Sequence, residues 1–407
     1  MGFQQGLSGL NAAARNLEVI GNNVANANTV GFKSSRAQFA DVYANTLAAS
    51  TSGSIGIGTR VASVAQMFTQ GNITTTNNPL DVAINGEGFY RLSSNGAINY
   101  SRNGQFQLDN NGFIVSSSGA HLTGFAADAT GAVTTGTPVD LQISKTDLSP
   151  LATTKAAAGL NLDSRKPVLP AAGFNLANAA TYHGATSLST YDSLGNAHTL
   201  SLYFVKTAVN TYSVFAANDG VQVGAAAVGT MAFNTDGSLD TAATTLPFNL
   251  SVPVGGGATT PMAVAVDFTG TTQFGTAFGV NDLTQNGYTA GKLSGFSIGP
   301  DGTILGRYSN GQTLAQGQIA LASFTNSQGL APLGNNLWAE TSTSGLPLVG
   351  APGAGTLGVL QSGAVEEANV DLTQELVNMI TAQRVYQANA QTIKAQDQIL
   401  QTIVNLR

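Results

Sequence analysis

The chain has 407 residues, room for about two or three domains. Asp, Glu, Lys and Arg make up only 9% of it, where about 25% is usual, while the hydrophobic share of 43% rules out a disordered, low-hydrophobicity chain. A net charge of −6 argues against nucleic acid, which demands a basic stripe, and the lack of Cys excludes a disulfide framework and thiol chemistry.

No apolar run approaches the ~18 residues of a membrane span, so membrane insertion is not expected. The opening residues, MGFQQGLSGLNAAARNLEV, lack a basic stretch followed by an apolar core. Arg15 and Glu18 sit where that core would be, so this is not a secretory signal peptide. A nearly uncharged surface solubilises a monomer poorly but can be buried against neighbours at little desolvation cost.

Residues 3–24 predict a helix. Phe3, Leu7, Leu10, Ala14, Leu17, Gly21 and Val24 are spaced by four and three, which is a heptad seam. Gly6, Gly9 and Gly21 each cost that helix about 1 kcal/mol relative to Ala, so alone in water it is marginal and needs a partner. The Asn-rich stretch 22–31 ends it. Residues 31–70 are rich in Ser, Thr and Gly and read as an extended, irregular connecting segment with short strands, lying along another surface.

From Gly71 the pattern turns to β. Leu80, Val82 and Ile84 alternate, and Asn85-Gly86 predicts a hairpin turn back into residues 89–92. Asn95-Gly96, Asn103-Gly104 and Asn111-Gly112 repeat the turn signal. Residues 146–284 form a second, inserted β block with Ala/Thr/Gly-rich loops. Within it, residues 187–191, a turn at 192–196 and residues 199–205 predict a hairpin, with 211–215 as the next strand. From Gly287 to Phe324 the turns Pro300-Asp301-Gly302 and Asn310-Gly311 separate three more alternating strands, assigned to the 71–145 block.

The last Gly is Gly363 and the last Pro is Pro352, so residues 364–407 predict one long helix of about 55–60 Å. Leu372, Leu376, Met379, Gln383, Tyr386, Ala390, Ile393, Asp397, Leu400 and Val404 form its seam, with Gln383 and Asp397 as polar interruptions. Such a seam serves either an intramolecular coiled coil or a helix that packs against copies of itself. The expected fold is multidomain and mainly β, with nested sandwich- or barrel-like β domains and a terminal coiled-coil module made by the N- and C-terminal helices. The expected domains are a helical module of 1–30 and 364–407, the connecting segment 31–70, a β domain of 71–145 and 285–363, and the inserted β domain 146–284.

Chemistry leaves few candidates. Gly295-Phe296-Ser297-Ile298-Gly299 matches GxSxG, but a hydrolase order needs a His after the Ser, and His121, His183 and His198 all precede it. Gly291-Lys292 is followed by Leu293, so it is no phosphate loop. Gly53, Gly56 and Gly58 neither follow a strand nor open a helix in the dinucleotide manner. Three scattered His and no Cys argue against a transition metal. The expectation is no catalytic residue, no cofactor, no metal and no enzyme.

Residues 8–36, SGLNAAARNLEVIGNNVANANTVGFKSSR, resemble the N-terminal signature of bacterial flagellar rod, hook and hook-associated proteins, in which SGLNAA, NNVAN and GFK recur. Residues 369–400, NVDLTQELVNMITAQRVYQANAQTIKAQDQIL, resemble the matching tail of this axial family. LDVAINGEGFYRL at 80–92 and SRNGQFQLD at 101–109 are also similar to it. YDSLGNAHTLSLYFVK at 191–206 resembles the second β domain of the hook branch, and distal rod members lack a large β insertion.

The resemblance implies a structural subunit of the flagellar hook. Such a subunit self-assembles into a flexible tubular helical polymer that couples rod to filament, transmits torque and encloses the export channel. A distal rod or hook–filament junction protein is the alternative within the family. A free-standing β-rich adhesin-like module would not need heptads at both ends. The resemblance also implies an inner tube of paired terminal helices, a middle β layer and 146–284 outermost. Its partners would be copies of itself, the rod, hook-cap and hook–filament junction proteins, and the flagellar type III export apparatus, with export to the extracellular flagellum without a cleaved signal peptide. Head-to-tail contacts whose rotation does not close build such an open polymer. The expected interface is the two seams: Phe3, Leu7, Leu10, Leu17, Val24, Leu372, Leu376, Met379, Tyr386, Ile393, Leu400 and Val404. The amides Gln387, Gln391 and Gln398 are expected to face the lumen, where a neutral hydrated wall would not hold passing chains. The other reading is that Gln is simply a good neutral helix former.

Overall fold

A computed structural model describes residues 2–42 and 56–405. Helices α1 (Gly2–Ala25) and α2 (Leu372–Asn405) lie at the two ends of the chain, and strands fill the chain between them. The chain divides into two compact units. One is Met1–Lys145 with Gly295–Arg307 and Thr313–Arg407; the other is Thr146–Ser294 with Tyr308–Gln312.

In the first unit, α2 begins at Leu372 and not at 364. Residues Ala364–Glu366 are a short strand instead. The Asp371 carboxylate caps α2 by accepting from the Gln374 N–H at 3.1 Å, and Gln374 at the third position completes a capping-box sequence. The 34 residues of α2 span about 50 Å.

Of the segment 31–70, residues 43–55 lie outside the described residues, and the described parts are more regular than their composition suggests. β1 (Ser35–Val42) and β2 (Gly58–Gln66) pair antiparallel with a bulge between Gln38 and Phe39, and both lie along α1. Their alternation is weak because little of either strand is buried. Gln5 Nε2 donates to Gly56 O at 2.6 Å and Ser8 Oγ accepts from Thr59 N, which fixes the start of β2 on the first turns of α1.

The next strands do not form the hairpin that Asn85-Gly86 suggested. β3 (Ile73–Thr75) pairs with Ala364–Glu366, and β4 (Val82–Asn85) pairs with Val359–Ser362. The two chain passes nearest the helices are thus zipped together. Val82, Ala83 and Ile84 are all buried, so β4 has no solvent face. Asn103-Gly104 makes no hairpin either, and its Gly104 carbonyl accepts from Val82 N. Asn95-Gly96 does: both residues have positive φ, as a tight turn between β5 (Phe89–Ser94) and β6 (Ala97–Ser101) requires. Asn111-Gly112 closes the turn between β7 (Phe106–Leu108) and β8 (Ile114–Ser116).

β5 and β6 belong to a thirteen-stranded sheet that also holds Leu293–Ile298, Thr303–Tyr308 and Thr313–Ile319. Ser297 of the GxSxG match therefore sits in a strand before the turn at Asp301-Gly302. Against the sheet, Phe68, Phe89, Tyr100, Phe324 and Trp338 meet edge to face with ring centroids 4.7 to 5.9 Å apart.

The second unit is a β-sandwich. One sheet runs Phe248–Val252, Met262–Asp267, Lys155–Asn161, Gly279–Gln285; the other is built on Gly184–Tyr191, Ala197–Ala208 and Thr211–Asn218. The hairpin expected around 192–196 is there, with Tyr191 opposite Ala197. Leu200, Leu202 and Phe204 alternate inward and join Leu160, Leu250, Val264, Val266 and Phe268 in one apolar cluster. Side chains from both sheets fill one layer, as sandwich packing requires.

Candidate assembly interface

The two helices run antiparallel. Gly6 of α1 lies against Ile393 of α2, Gly9 against Asn389, and Asn23 reaches Glu375. The joining face is made of small and amide side chains. A Cβ on Gly9 would come within 2.7 Å of Asn389 Oδ1, so Gly6 and Gly9, which weaken α1 as a helix, are what let α2 approach. Ala12, Ala13, Ile20, Asn23 and Ala382 are the buried members of this contact region. A groove of about 780 Å³ runs between the helices and β1, and Glu375 lines it. Glu375 Oε1 accepts a 3.4 Å hydrogen bond from Asn23, while its Oε2 is buried without a partner.

The heptad seams are not this face. At about 100° per residue, each seam lies roughly a quarter-turn round its helix from the contact. Phe3, Leu7, Leu372, Leu376, Tyr386 and Leu400 are exposed. Leu10, Leu17, Val24 and Met379 are half-buried. Ile393 is half-buried and, among the described residues, is the one seam residue placed against a glycine of α1. The Val404 side chain lies outside the described residues. Gln387, Gln391 and Gln398 are exposed on α2. The sequence reading missed the face that joins the helices. Its signal was present as Gly6, Gly9, Ala13 and Ile20, a second four-and-three stripe of mostly small residues.

A buried ionic cluster lies where both helices leave the β strands. Glu366 Oε1 accepts from Lys33 Nζ at 2.7 Å and from Gly71 N at 2.9 Å, and Glu366 Oε2 meets Arg102 Nη1 at 3.3 Å. Lys33 also donates to Thr69 O, and Arg102 Nη2 to Gly86 O. The Arg102 guanidinium stands 5.5 Å from the Phe89 ring centroid. Burial pushes the Lys33 ammonium and the Arg102 guanidinium down from their ordinary values, and the Glu366 charge opposes that shift in both. Gly31 has φ +72 and donates to Glu366 O at 2.8 Å, and a Cβ there would strike Asn103 N. Asn23 brackets Ser35 through two hydrogen bonds, and Asn369 does the same for Ser34 and the 67–69 stretch. The motif pieces NNVAN, GFK, SRNG and the start of the tail therefore converge on one junction. Among the described residues no group of three His, Asp or Glu could hold a metal ion.

Four family models match the chain. They are Flagella basal body rod protein over 3–33, Flagellar hook protein FlgE/F/G D1 domain over 83–151, Flagellar basal body protein FlaE D2 domain over 161–288, and Flagellar basal body rod FlgEFG protein C-terminal over 361–406. The chain is 45% identical to the flagellar hook protein FlgE of Escherichia coli (strain K12), with 100% of each chain covered. It is 44% identical to that of Salmonella typhimurium at the same coverage, and 33% identical to that of Borreliella burgdorferi over 99% of this chain and 98% of the relative. Its fold is similar to the crystal structure of Helicobacter pylori flagellar hook protein FlgE2, with a TM-score of 0.54, 12% identity, and 72% of this chain and 99% of that one covered.

Proposed function

This chain belongs to the flagellar hook protein family and is a structural subunit of the hook, and on that premise we propose that its two uncovered seams are the surfaces through which copies stack into the wall of a tube. The observation that carries this reading is the division of labour on the helices. The pair is already joined by its small-residue face, yet Phe3, Leu7, Leu372, Leu376 and Leu400 remain exposed. Burying each Leu is worth about 1.5–3 kcal/mol, and the gain recurs in every subunit. In this reading 146–284 is the outermost domain. The polymer is a flexible coupling that joins rod to filament, transmits torque and encloses an export channel, and it has no catalytic role. Gln387, Gln391 and Gln398 line that channel. Rod, hook-cap and hook–filament junction proteins meet the polymer's ends, and the subunit travels through the type III export apparatus without a cleaved signal peptide.

Sedimentation of polymer tests the seam. Leu376→Asp should abolish polymer, since it removes apolar burial and puts a carboxylate in the contact. Gln387→Glu adds the same charge off the seam and should assemble. Circular dichroism of the β units is the folding control. Parental polymerisation by Leu376→Asp would sink the reading.

A further inference from the structure

We infer that Asn95 is a site of spontaneous modification: of the chain's six Asn-Gly sequences, it is the one that the fold leaves free to lose its side-chain amide. An Asn followed by Gly can react with its own backbone. The Gly nitrogen attacks Cγ of the Asn side chain, so a Cγ–N bond forms and the Cγ–Nδ2 bond breaks. Nδ2 leaves as ammonia and takes the proton of the Gly N–H. Water then opens the cyclic imide at either carbonyl, giving Asp or β-linked isoaspartate. No electron is transferred, and water is the one co-reactant. Gly favours the attack because no side chain shields its nitrogen.

Positions 85, 95, 103, 111, 286 and 310 all carry the dipeptide, so geometry must choose among them. The reaction needs an unengaged carboxamide, an unengaged Gly N–H and water. A hydrogen bond on either group holds it back from attack and costs free energy to break. Five positions fail at least one condition. Gly86 N donates to Gln70 Oε1 at 3.0 Å. Asn103 Oδ1 accepts from Gln105 N at 3.0 Å, and Gly104 is buried against Val82 O. Gly112 is buried and donates to Asp109 O at 3.1 Å. Asn286 Oδ1 accepts from Thr154 N and Lys155 N, and Gly287 N donates to Gln285 Oε1. Asn310 accepts from Gln312 N and donates to Thr289 O, and Gly311 N donates to Tyr308 O at 3.0 Å.

Asn95 meets all three conditions. It stands at the tip of the two-residue turn between β5 and β6, where Ser94 lies opposite Ala97. Asn95 and Gly96 are both exposed, and among the described residues neither the Asn95 side chain nor the Gly96 N–H makes a hydrogen bond. A Cβ on Gly96 would meet nothing within 4 Å, so the tip has room to turn and water can reach it. Bringing the Gly96 nitrogen onto Cγ therefore breaks no hydrogen bond made by either group. Either product adds one negative charge to a chain of net charge −6. The isoaspartyl form also routes the main chain through Cβ. That lengthens a turn of only two residues and strains the closure of Ser94 on Ala97.

The test is the order of conversion. The full chain is held folded at mildly alkaline pH, digested at intervals and mapped by mass spectrometry, with an isoaspartyl-specific methyltransferase marking the β-linked product. Conversion at Asn95 should run roughly tenfold or more ahead of every other Asn-Gly position. In urea, where the hydrogen bonds of the fold are gone, the six should convert at similar rates. Asn95→Gln should remove the fast phase of ammonia release and leave the other five at their slow parental rates. No conversion at Asn95, earlier conversion at any of the other five in the folded chain, or the same lead for Asn95 in urea overturns the inference.

Discussion

In the sandwich unit most large apolar side chains are inside, and on the terminal helices many of them are outside. Leu200, Leu202, Phe204 and Phe268 are wholly buried, whereas Leu372, Leu376 and Leu400 are about half exposed. The places that are buried on the helices hold Gly6, Ala12, Ala13, Asn23 and Ala382 with one large apolar residue, Ile20, and the junction below them holds a lysine, an arginine and a glutamate. One region completes its core within a single chain. The other leaves large apolar side chains exposed, on the surface proposed above for contact with copies of the chain. A subunit that must fold alone and then join a polymer needs both kinds of region.

The largest effect expected from this contrast is in the sandwich. Phe204 is fully buried, with ring centroids of Phe268 and Phe278 at 6.0 and 5.8 Å. Phe204→Ala should destabilise the sandwich by about 3–5 kcal/mol through lost transfer energy and a cavity. In a calorimetric scan only the sandwich transition should move. If the helix signal falls with it, the two regions are not independent in the way the contrast requires.

Much of this was legible from the residues. Heptad spacing placed both helices, and turn chemistry placed the hairpins at Asn95-Gly96, Asn111-Gly112 and residues 192–196. The failures share a cause. Asn85-Gly86 has the composition of a tight turn, but β4 is claimed by Val359–Ser362, far away in sequence. Residues 364–366 were read as helix because they lack Gly and Pro, while pairing with Ile73–Thr75 makes them a strand. Long-range pairing overrode local preference in both cases. The helix-joining face was missed because apolar periodicity points to large side chains, and this contact depends on their absence. The ionic cluster was invisible because its three members are scattered over the chain and each looks like an ordinary surface charge.

A mid-sized effect sharpens the role of that small-residue face. Gly9→Ala improves α1 propensity by about 1 kcal/mol but drives its Cβ into the Asn389 amide. Alone, the substitution should be neutral or should weaken the helix pair. Combined with Asn389→Ala, which clears the space, it should stabilise the pair by up to about 1 kcal/mol. The measurement is thermal loss of the helical circular dichroism signal in both variants. Equal stabilisation by the single and the double variant would show that the helices do not meet at Gly9.

The smallest effect lies in the sandwich and depends on pH. His198 Nδ1 is 2.7 Å from Asp219 Oδ2, and its Nε2 is 3.3 Å from Asp192 Oδ2. The Asp219 carboxylate, with Asp192 beside it, raises His198 above its ordinary value although burial works the other way. Burial pushes the Asp192 carboxyl up, but donation from Asn196, His198 and the Leu194 N–H outweighs it and holds the group at about 2. Backbone donation from Thr199 and the His198 contact likewise lower Asp219. The signs follow by linkage. A histidine raised in the folded state contributes stability that is complete below about 6.5 and is lost as pH rises through the folded value. The two lowered carboxylates contribute above about 4, and Asp192 loses its share only as pH falls toward 2. Partly exposed pairs are worth about 1 kcal/mol or less, so the slope is shallow. His183 is lowered, first by burial, and so acts with the opposite sign. The difference between the parent and His198→Gln therefore isolates the cluster. The sandwich of the parent should melt higher than that of the variant at pH 5, and the gap should close by pH 8. A gap that stays constant across that range would mean that His198 is held by packing and that its two carboxylates do not bind its charge.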